Sequence, residues 1–382
     1  MTFSENIFGT ANKRAESSQI TPHKLSDQNL ADRSKQEQAE EQLCVGFDTV
    51  LEKLKQNPET LRNQIEKLKN LPDCNGILGK LTPYFTEEHW EIAATLEAYD
   101  KRTFDHSLRV ATFVYDMTNN GGETEIYLRQ CIHMEESSLG ELFTAALFHD
   151  IGKTTIPCDI LHDFHSRREW AKRANMWAEK NNHTPYFDSE KLEEFSEVEL
   201  DHYFMRMYKD IGSDPLDIVP IEGIFDPESI GKLKHCGITP QSTFRKVLEY
   251  HERATKAILR RKKMYIASDI ASRHHNYDGK PIRSERYPTE ISSLRLGFEL
   301  SLLRSMDIYD ALTSIDRSYK KSYHPLLALE ILIKETETEF IEPQLTKYVI
   351  RDLYKKIEAS HHAIPNNDAE SQAQKKILAF IT

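Results

Sequence analysis

Apolar residues recur at three- and four-residue steps along most of the chain, the pattern of helices that bury one face. Leu43, Phe47, Val50, Leu51 and Leu54 form the first stripe, and Leu61, Ile65 and Leu68 follow it after Pro58, which predicts an N-terminal helical region over 41–85. A longer helical stretch begins near Glu87 (Trp90, Ile92, Ala93, Leu96) and resumes from Phe104 through Leu108, Val110, Ala111, Val114 and Tyr115. The segment Glu141–Phe148, ELFTAALF, is apolar nearly all round and predicts a helix buried on every side. Further helices are expected over Phe244–Arg261, Tyr265–Arg273, Leu294–Leu312 and Leu326–Lys334. No period-2 run of useful length interrupts them. The expected fold class is all-α.

Two stretches break this texture. Residues 1–40 are rich in Ser, Gln, Asn, Lys and Glu without a period, so they read as a disordered tail that cannot bury enough surface to offset ordering entropy. Between 162 and 243 charges crowd around Trp170 and Trp177, and Gly and Pro return at 212–240, which marks an inserted lobe. Within it, 166–180 sets Trp170, Met176 and Trp177 against Arg167, Arg168, Lys172 and Arg173 at helical spacing. Aromatic and basic residues together suit a nucleotide, so the lobe is expected to cap a site. An amphipathic helix with a solvated basic face is the plainer alternative. The basic turn Arg260–Lys263 reads as a solvated helix face.

Composition narrows the class. The chain has 382 residues, 39% hydrophobic and 29% charged, with only 14 Gly, which suits a helical globular protein. A net charge of −11 argues against non-specific binding to nucleic acid, so an anionic substrate needs locally placed cations. The longest apolar runs fall short of a bilayer span, so no membrane partner is expected. Cys44, Cys74, Cys131, Cys158 and Cys236 are odd in number and contain no CxxC pair. They read as thiols of a reducing compartment, and with an N-terminus lacking a signal-peptide apolar stretch the expected location is cytoplasmic.

The strongest chemical signal is His149-Asp150-Ile151-Gly152-Lys153, directly after the all-apolar segment. An imidazole and a carboxylate placed where water has just been excluded must be paired or must hold a metal. A hydrogen-bonded His–Asp helix cap is the structural alternative. The company of these residues favours the metal. His106 and Arg109 lie three apart in DKRTFDHSLRV, His251 stands in EYHERATKAIL, His274 and His275 are adjacent before Asp278-Gly279, and Asp307 sits on a later apolar helix. Imidazole and carboxylate without thiolate suit iron, manganese, nickel or zinc.

The ordered set H-x-x-R-V, H-D-I-G-K, a lone helical His, HH-x-x-D-G and D-x-Y-D-A-L-T-S-x-x-R-x-Y-K resembles the HD-GYP branch of the HD-domain metal-dependent phosphohydrolases, over roughly 90–161 and 244–350. The resemblance implies an all-helical HD-domain bundle over 86–382, carrying the insertion at 162–243. It also implies two divalent transition-metal ions, iron or manganese before nickel or zinc. One would be held by His106, His149, Asp150 and Asp307, and the other by Asp150, His251, His274 and His275, with Asp150 bridging. Two cations generate hydroxide from a bridging water near neutral pH and neutralise phosphoryl charge. The resemblance further implies Asp150 and Lys153 as the catalytic candidates, and Lys153, Arg317 and Lys320 as the phosphate contacts. His202 is passed over as a ligand in favour of His251.

The chain departs from that branch in ways that bear on substrate. The Glu after the paired histidines is replaced by Asn276, and the G-Y of the signature is lost from a shortened loop; Tyr287-Pro288 is the candidate substitute. Arg102 stands where three-metal members carry a Glu, so two metals are expected. The implied function is a binuclear phosphodiesterase acting on a cyclic dinucleotide of the cyclic di-GMP kind or on a related phosphodiester. The alternatives are a phosphohydrolase for nucleotide monoesters or triphosphates, and a non-catalytic nucleotide-sensing protein. The 162–243 insertion and the N-terminal tail are the candidate surfaces for a protein partner.

Overall fold

Among the described residues every regular element is a helix, and the extended backbone pairs only in an isolated bridge between Pro220 and Thr243. The structure is a computed structural model that describes residues 41–70, 76–131, 134–162, 167–196, 199–200, 203–204, 207, 219–275, 291–314, 322–337, 341–360 and 363–382. The tail 1–40, the loop 276–281, Tyr287, Pro288, His202, Cys74, Arg317 and Lys320 lie outside them.

The longer helices are α1 (41–55), α2 (Pro58–Lys69), α3 (Glu87–Tyr99), α4 (Lys101–Asn119), α5 (Glu136–Phe148) and α6 (Arg167–Lys180). They continue with α7 (Phe244–Arg261), α8 (Tyr265–Ala271), α9 (Ile291–Thr313), α10 (Pro325–Glu337), α11 (Pro343–Ala359) and α12 (Asp368–Ile381). Asp100 separates α3 from α4: its carboxylate accepts from the backbone N–H groups of Arg102 (3.1 Å) and Thr103 (3.3 Å), so one residue ends a helix and caps the next. Helix α8 stops two residues before the expected Arg273, and Ser272 turns the chain so that His274 and His275 leave the helix axis. Two helices beyond the last one expected, α11 and α12, start on side-chain caps from Glu342 and Asn367.

Residues 42–382 form one compact unit. Its main core gathers Phe47 and Leu51 of α1, Leu68 of α2, Ile92 and Leu96 of α3, Val110 and Val114 of α4, Leu302 and Met306 of α9, and Val349 and Ile350 of α11. Helix α5 runs through its middle, with Leu142, Phe143, Leu147 and Phe148 all fully buried, each contributing about 1.5–3 kcal/mol by transfer from water. The N-terminal helices share this core.

A second core gathers residues between Ile156 and Ala254. Trp170, Ala171 and Ala174 of α6 pack there with Phe187, Leu192, Phe204, Val219, Ile221 and Ile230, together with Phe244, Val247, Tyr250 and Ala254 of α7. Ala257, Ile258 and Leu259, the last turns of the same α7, belong to the main core. Helix α7 therefore joins the two cores, and His251 lies where one gives way to the other.

The turn after α5 fixes α7 in place. It continues as a 3₁₀ helix over Ile151–Thr155, packed on α7 so closely that a Cβ on Gly152 would stand 1.9 Å from the His251 carbonyl oxygen and 2.6 Å from the Thr255 nitrogen. Gly46 of α1 approaches the other side of this turn, where a Cβ would lie 2.6 Å from the Thr154 carbonyl oxygen. Gly152→Ala forces α7 away from α5 and is expected to cost about 3 kcal/mol or more in urea unfolding, at the upper end of overpacking effects. A loss under about 0.5 kcal/mol would show that this approach is not a constraint.

Candidate metal centre

Five separate elements bring seven ionisable side chains to one place. His106 comes from the second turn of α4, His149 and Asp150 from the end of α5, His251 from the middle of α7, His274 and His275 from the turn after α8, and Asp307 from α9. All are buried except His275, which is intermediate.

They fall into two groups. The candidate ligand atoms of His106, His149 and Asp307 lie within 4.8 Å of one another, and so do those of Asp150, His251, His274 and His275. Asp150 faces both. Its Oδ2 is 3.5 Å from His149 Nε2 and 3.8 Å from His106 Nε2, while its Oδ1 is 3.4 Å from His251 Nε2 and 3.7 Å from His274 Nε2. In the first group His106 Nε2 is 3.0 Å from Asp307 Oδ1 and 3.3 Å from His149 Nε2. In the second, the rings of His274 and His275 are 3.9 Å apart.

Hydrogen bonds fix which nitrogens face inward. His149 Nδ1–H donates to the Ala146 carbonyl (2.8 Å) and His274 Nδ1–H to the Ala271 carbonyl (2.6 Å), so each Nε2 carries a lone pair. The backbone is held equally firmly. Thr255 Oγ1 accepts from Gly152 N–H (2.9 Å) and donates to the His149 carbonyl (3.0 Å), which ties the His149-Asp150 turn to α7. Glu252 accepts from the His275 backbone N–H (3.1 Å), and Arg304 Nη1 donates to the His274 carbonyl (3.1 Å).

Two residues of the centre carried no role in the sequence reading. Asp310 stands one turn after Asp307, and its Oδ2 accepts from His106 Nδ1–H at 2.7 Å. Arg109, one turn after His106, donates to both oxygens of Asp310, from Nε at 2.7 Å and from Nη2 at 3.1 Å. Both spacings were readable as same-face pairs, His106 with Arg109 and Asp307 with Asp310. Which helices face each other was not.

The protonation preferences describe an acceptor-rich pocket. Burial pulls the His149, His251 and His275 imidazoles below their ordinary range and His274 down to about 4, so all four favour the neutral, ligand-competent form. Burial also pulls on His106, but hydrogen bonds to Asp307 and Asp310 outweigh it and hold that imidazole above its ordinary value. Burial opposes the ionisation of Asp150 and Asp307. For Asp150 the neighbouring Lys153 ammonium wins, and for Asp307 the bond to His106 does, so both stay well below the usual carboxylate range.

A cation fits this donor set. Asp150 Oδ1, His274 Nε2 and both ring nitrogens of His251 are buried without a hydrogen-bond partner. The first two are acceptors facing each other, and acceptors buried together need positive charge between them. Two carboxylates and five imidazoles without thiolate form a set that takes iron, manganese, nickel or zinc. Lys153 Nζ, its side chain 22% exposed, lies 2.5 Å from Asp150 Oδ2.

A comparison with protein-family models bears on this arrangement. Residues 103–217 match the HD domain family. The matched stretch contains His106, His149 and Asp150, and it supports the HD superfamily. An HD domain implies metal-dependent phosphohydrolase chemistry, and the buried His/Asp cluster fits a metal site. Comparison with curated proteins and with solved structures finds no significant match.

Three basic side chains of α6 are used internally; the side chain of Arg167 lies outside the described residues. Arg168 donates to the Leu192 and Phe195 carbonyls, Arg173 to the Ile224 carbonyl (3.1 Å) and to Glu169 (2.7 Å), and Lys172 pairs with Glu193 (2.7 Å). Trp170 is buried in the lobe core and Trp177 stacks near His183, whereas Met176 is 69% exposed. Helix α6 packs a small-residue face inward, as an amphipathic helix does, but Arg168, Lys172 and Arg173 bond within the lobe and do not form the solvated face of the plainer alternative. Its apolar side runs through Ala171, Ala174 and Ala178, and Met176 does not belong to it.

Because both Asp150 oxygens face histidines, Asp150→Ala is expected to remove both equivalents of metal from a protein that otherwise retains two. Elemental analysis after gel filtration checks this, with circular dichroism to verify folding. Two equivalents retained in the variant would exclude a shared carboxylate.

Proposed function

We propose that the chain is a two-metal phosphodiesterase, cleaving a cyclic dinucleotide or a related phosphodiester. One observation carries the reading: a single buried carboxylate, Asp150, presents each of its oxygens to a separate histidine group, which is the donor arrangement for two adjacent cations. Divalent cations held there supply Lewis acidity to an attacking water and to the phosphoryl oxygens.

The chain's own residues supply the rest. His106, His149 and Asp307 would hold one cation and His251, His274 and His275 the other, with Asp150 between them. His149 and His274 enter with their lone pairs already aimed inward by backbone carbonyls, so little reorganisation is needed. Lys153, on the 3₁₀ turn immediately after Asp150, is the cation at the partly open side of the site. Its ammonium holds Asp150 ionised and, with substrate present, donates to a non-bridging phosphoryl oxygen and steadies the charge that develops there. Arg317 and Lys320 are the proposed second phosphate contact.

The Mn²⁺-loaded protein is expected to hydrolyse bis(p-nitrophenyl) phosphate and at least one cyclic dinucleotide. Lys153→Ala is expected to lower kcat by about 10²–10³-fold while metal content stays at the wild-type level, the range seen when one transition-state donor is removed. Activity restricted to p-nitrophenyl phosphate, nucleoside monophosphates or triphosphates would replace this reading with a nucleotide phosphohydrolase.

A further inference from the structure

His106 is braced differently from His149, His251 and His274. In the second group His274 is oriented by a neutral backbone carbonyl, and His251 has neither ring nitrogen hydrogen-bonded. In the first group His149 is likewise oriented by a carbonyl. His106 differs from all of these, because its outer nitrogen meets a carboxylate, Asp310, at 2.7 Å.

That carboxylate is itself immobilised. It is 2% exposed, and Arg109 reaches both of its oxygens, so it cannot swing inward to become a ligand or outward to meet water. The geometry is a lattice between two helices, with His106 and Arg109 one turn apart on α4 facing Asp307 and Asp310 one turn apart on α9. An ionised carboxylate only accepts, so a proton stays on His106 Nδ1 beside Asp310, and Nε2, which shares a proton with Asp307 here, is the nitrogen that would give up its proton to take a cation. An anionic partner on the far nitrogen also makes an imidazole a stronger donor at the near one, which a peptide carbonyl does less well.

We propose that Asp310, locked by Arg109, is a positioning residue for His106 and gives the His106–His149–Asp307 group the tighter hold on a divalent cation. The proposal rests on the two-cation reading of the site. It adds that the two cations bind unequally and that this inequality is set one turn away from them.

The test is a Mn²⁺ titration of the metal-free full chain by equilibrium dialysis, with wild type and Asp310→Asn compared alongside their melting temperatures in EDTA. Wild type is expected to bind two equivalents with resolvable affinities. In Asp310→Asn the tighter equivalent weakens by about 10–100-fold, the range for loss of an outer partner of a ligating histidine, and the weaker one is unchanged. A purely structural role would lower the EDTA melting temperature and weaken both equivalents together, and that result overturns the proposal. Unchanged affinity at both overturns it too, while leaving the two-cation reading intact. A wild type that binds no Mn²⁺ removes both. Should Asp310→Asn fail to fold, Arg109→Gln, at a side chain 27% exposed, is read by the same split between equivalents.

Discussion

A carboxylate and a histidine lone pair, buried side by side with no donor between them, set the terms for the rest of this molecule. Asp150 Oδ1 and His274 Nε2 lie 3.7 Å apart inside the protein, each an acceptor without a hydrogen-bond partner. Burying such groups costs several kcal/mol unless positive charge compensates them. The surrounding histidines do little to help as protons, because burial favours their neutral forms. The arrangement makes physical sense as a seat for cations. What surrounds it serves to keep acceptors facing one another against their mutual repulsion.

Helix α7 shows how that is done. Its first half is anchored in the lobe core and its last turns in the main core, so it cannot shift to relieve the crowding around His251. Thr255 and Gly152 then fasten the His149-Asp150 turn to it, by two hydrogen bonds and by an approach too close for any side chain. The second core accordingly has a mechanical part in the centre: it supplies the packing for the half of α7 that precedes His251. Among the described residues, Arg168 and Arg173 and the rings of Trp170, Phe187 and Phe204 are occupied in holding this core together. This fits a supporting element better than a nucleotide-binding face.

How much of this was legible in the sequence depended on the kind of signal. Helices with an apolar stripe of three- and four-residue steps were readable, α4 and α7 among them, because a helix must bury one face. The all-apolar run before His149 announced a buried helix end, and the side-by-side His and Asp made that end a candidate centre. The seven ligand candidates came from the resemblance to the HD-GYP branch, carried over onto matching motifs, and the structure brings all seven together. Helix α11 carries a readable stripe of its own in Leu345, Val349, Ile350 and Leu353. Asp310 was quoted as part of a motif without a role. Its role depends on α4 facing α9, and the pairing of residues about 200 positions apart is a tertiary fact that no local period encodes. The early end of α8 was likewise unreadable, since neither a glycine nor a break in the apolar period marks the turn at Ser272.

The central claim is that one carboxylate joins two cation seats in a single buried centre. Crystals of the wild-type chain grown with Mn²⁺, measured at a wavelength where manganese scatters anomalously, test it most directly. The account requires two anomalous peaks, one against Asp150 Oδ2 among His106, His149 and Asp307, the other against Oδ1 among His251, His274 and His275. A single peak, or peaks only on surface carboxylates with Lys153 still paired to Asp150, would contradict it.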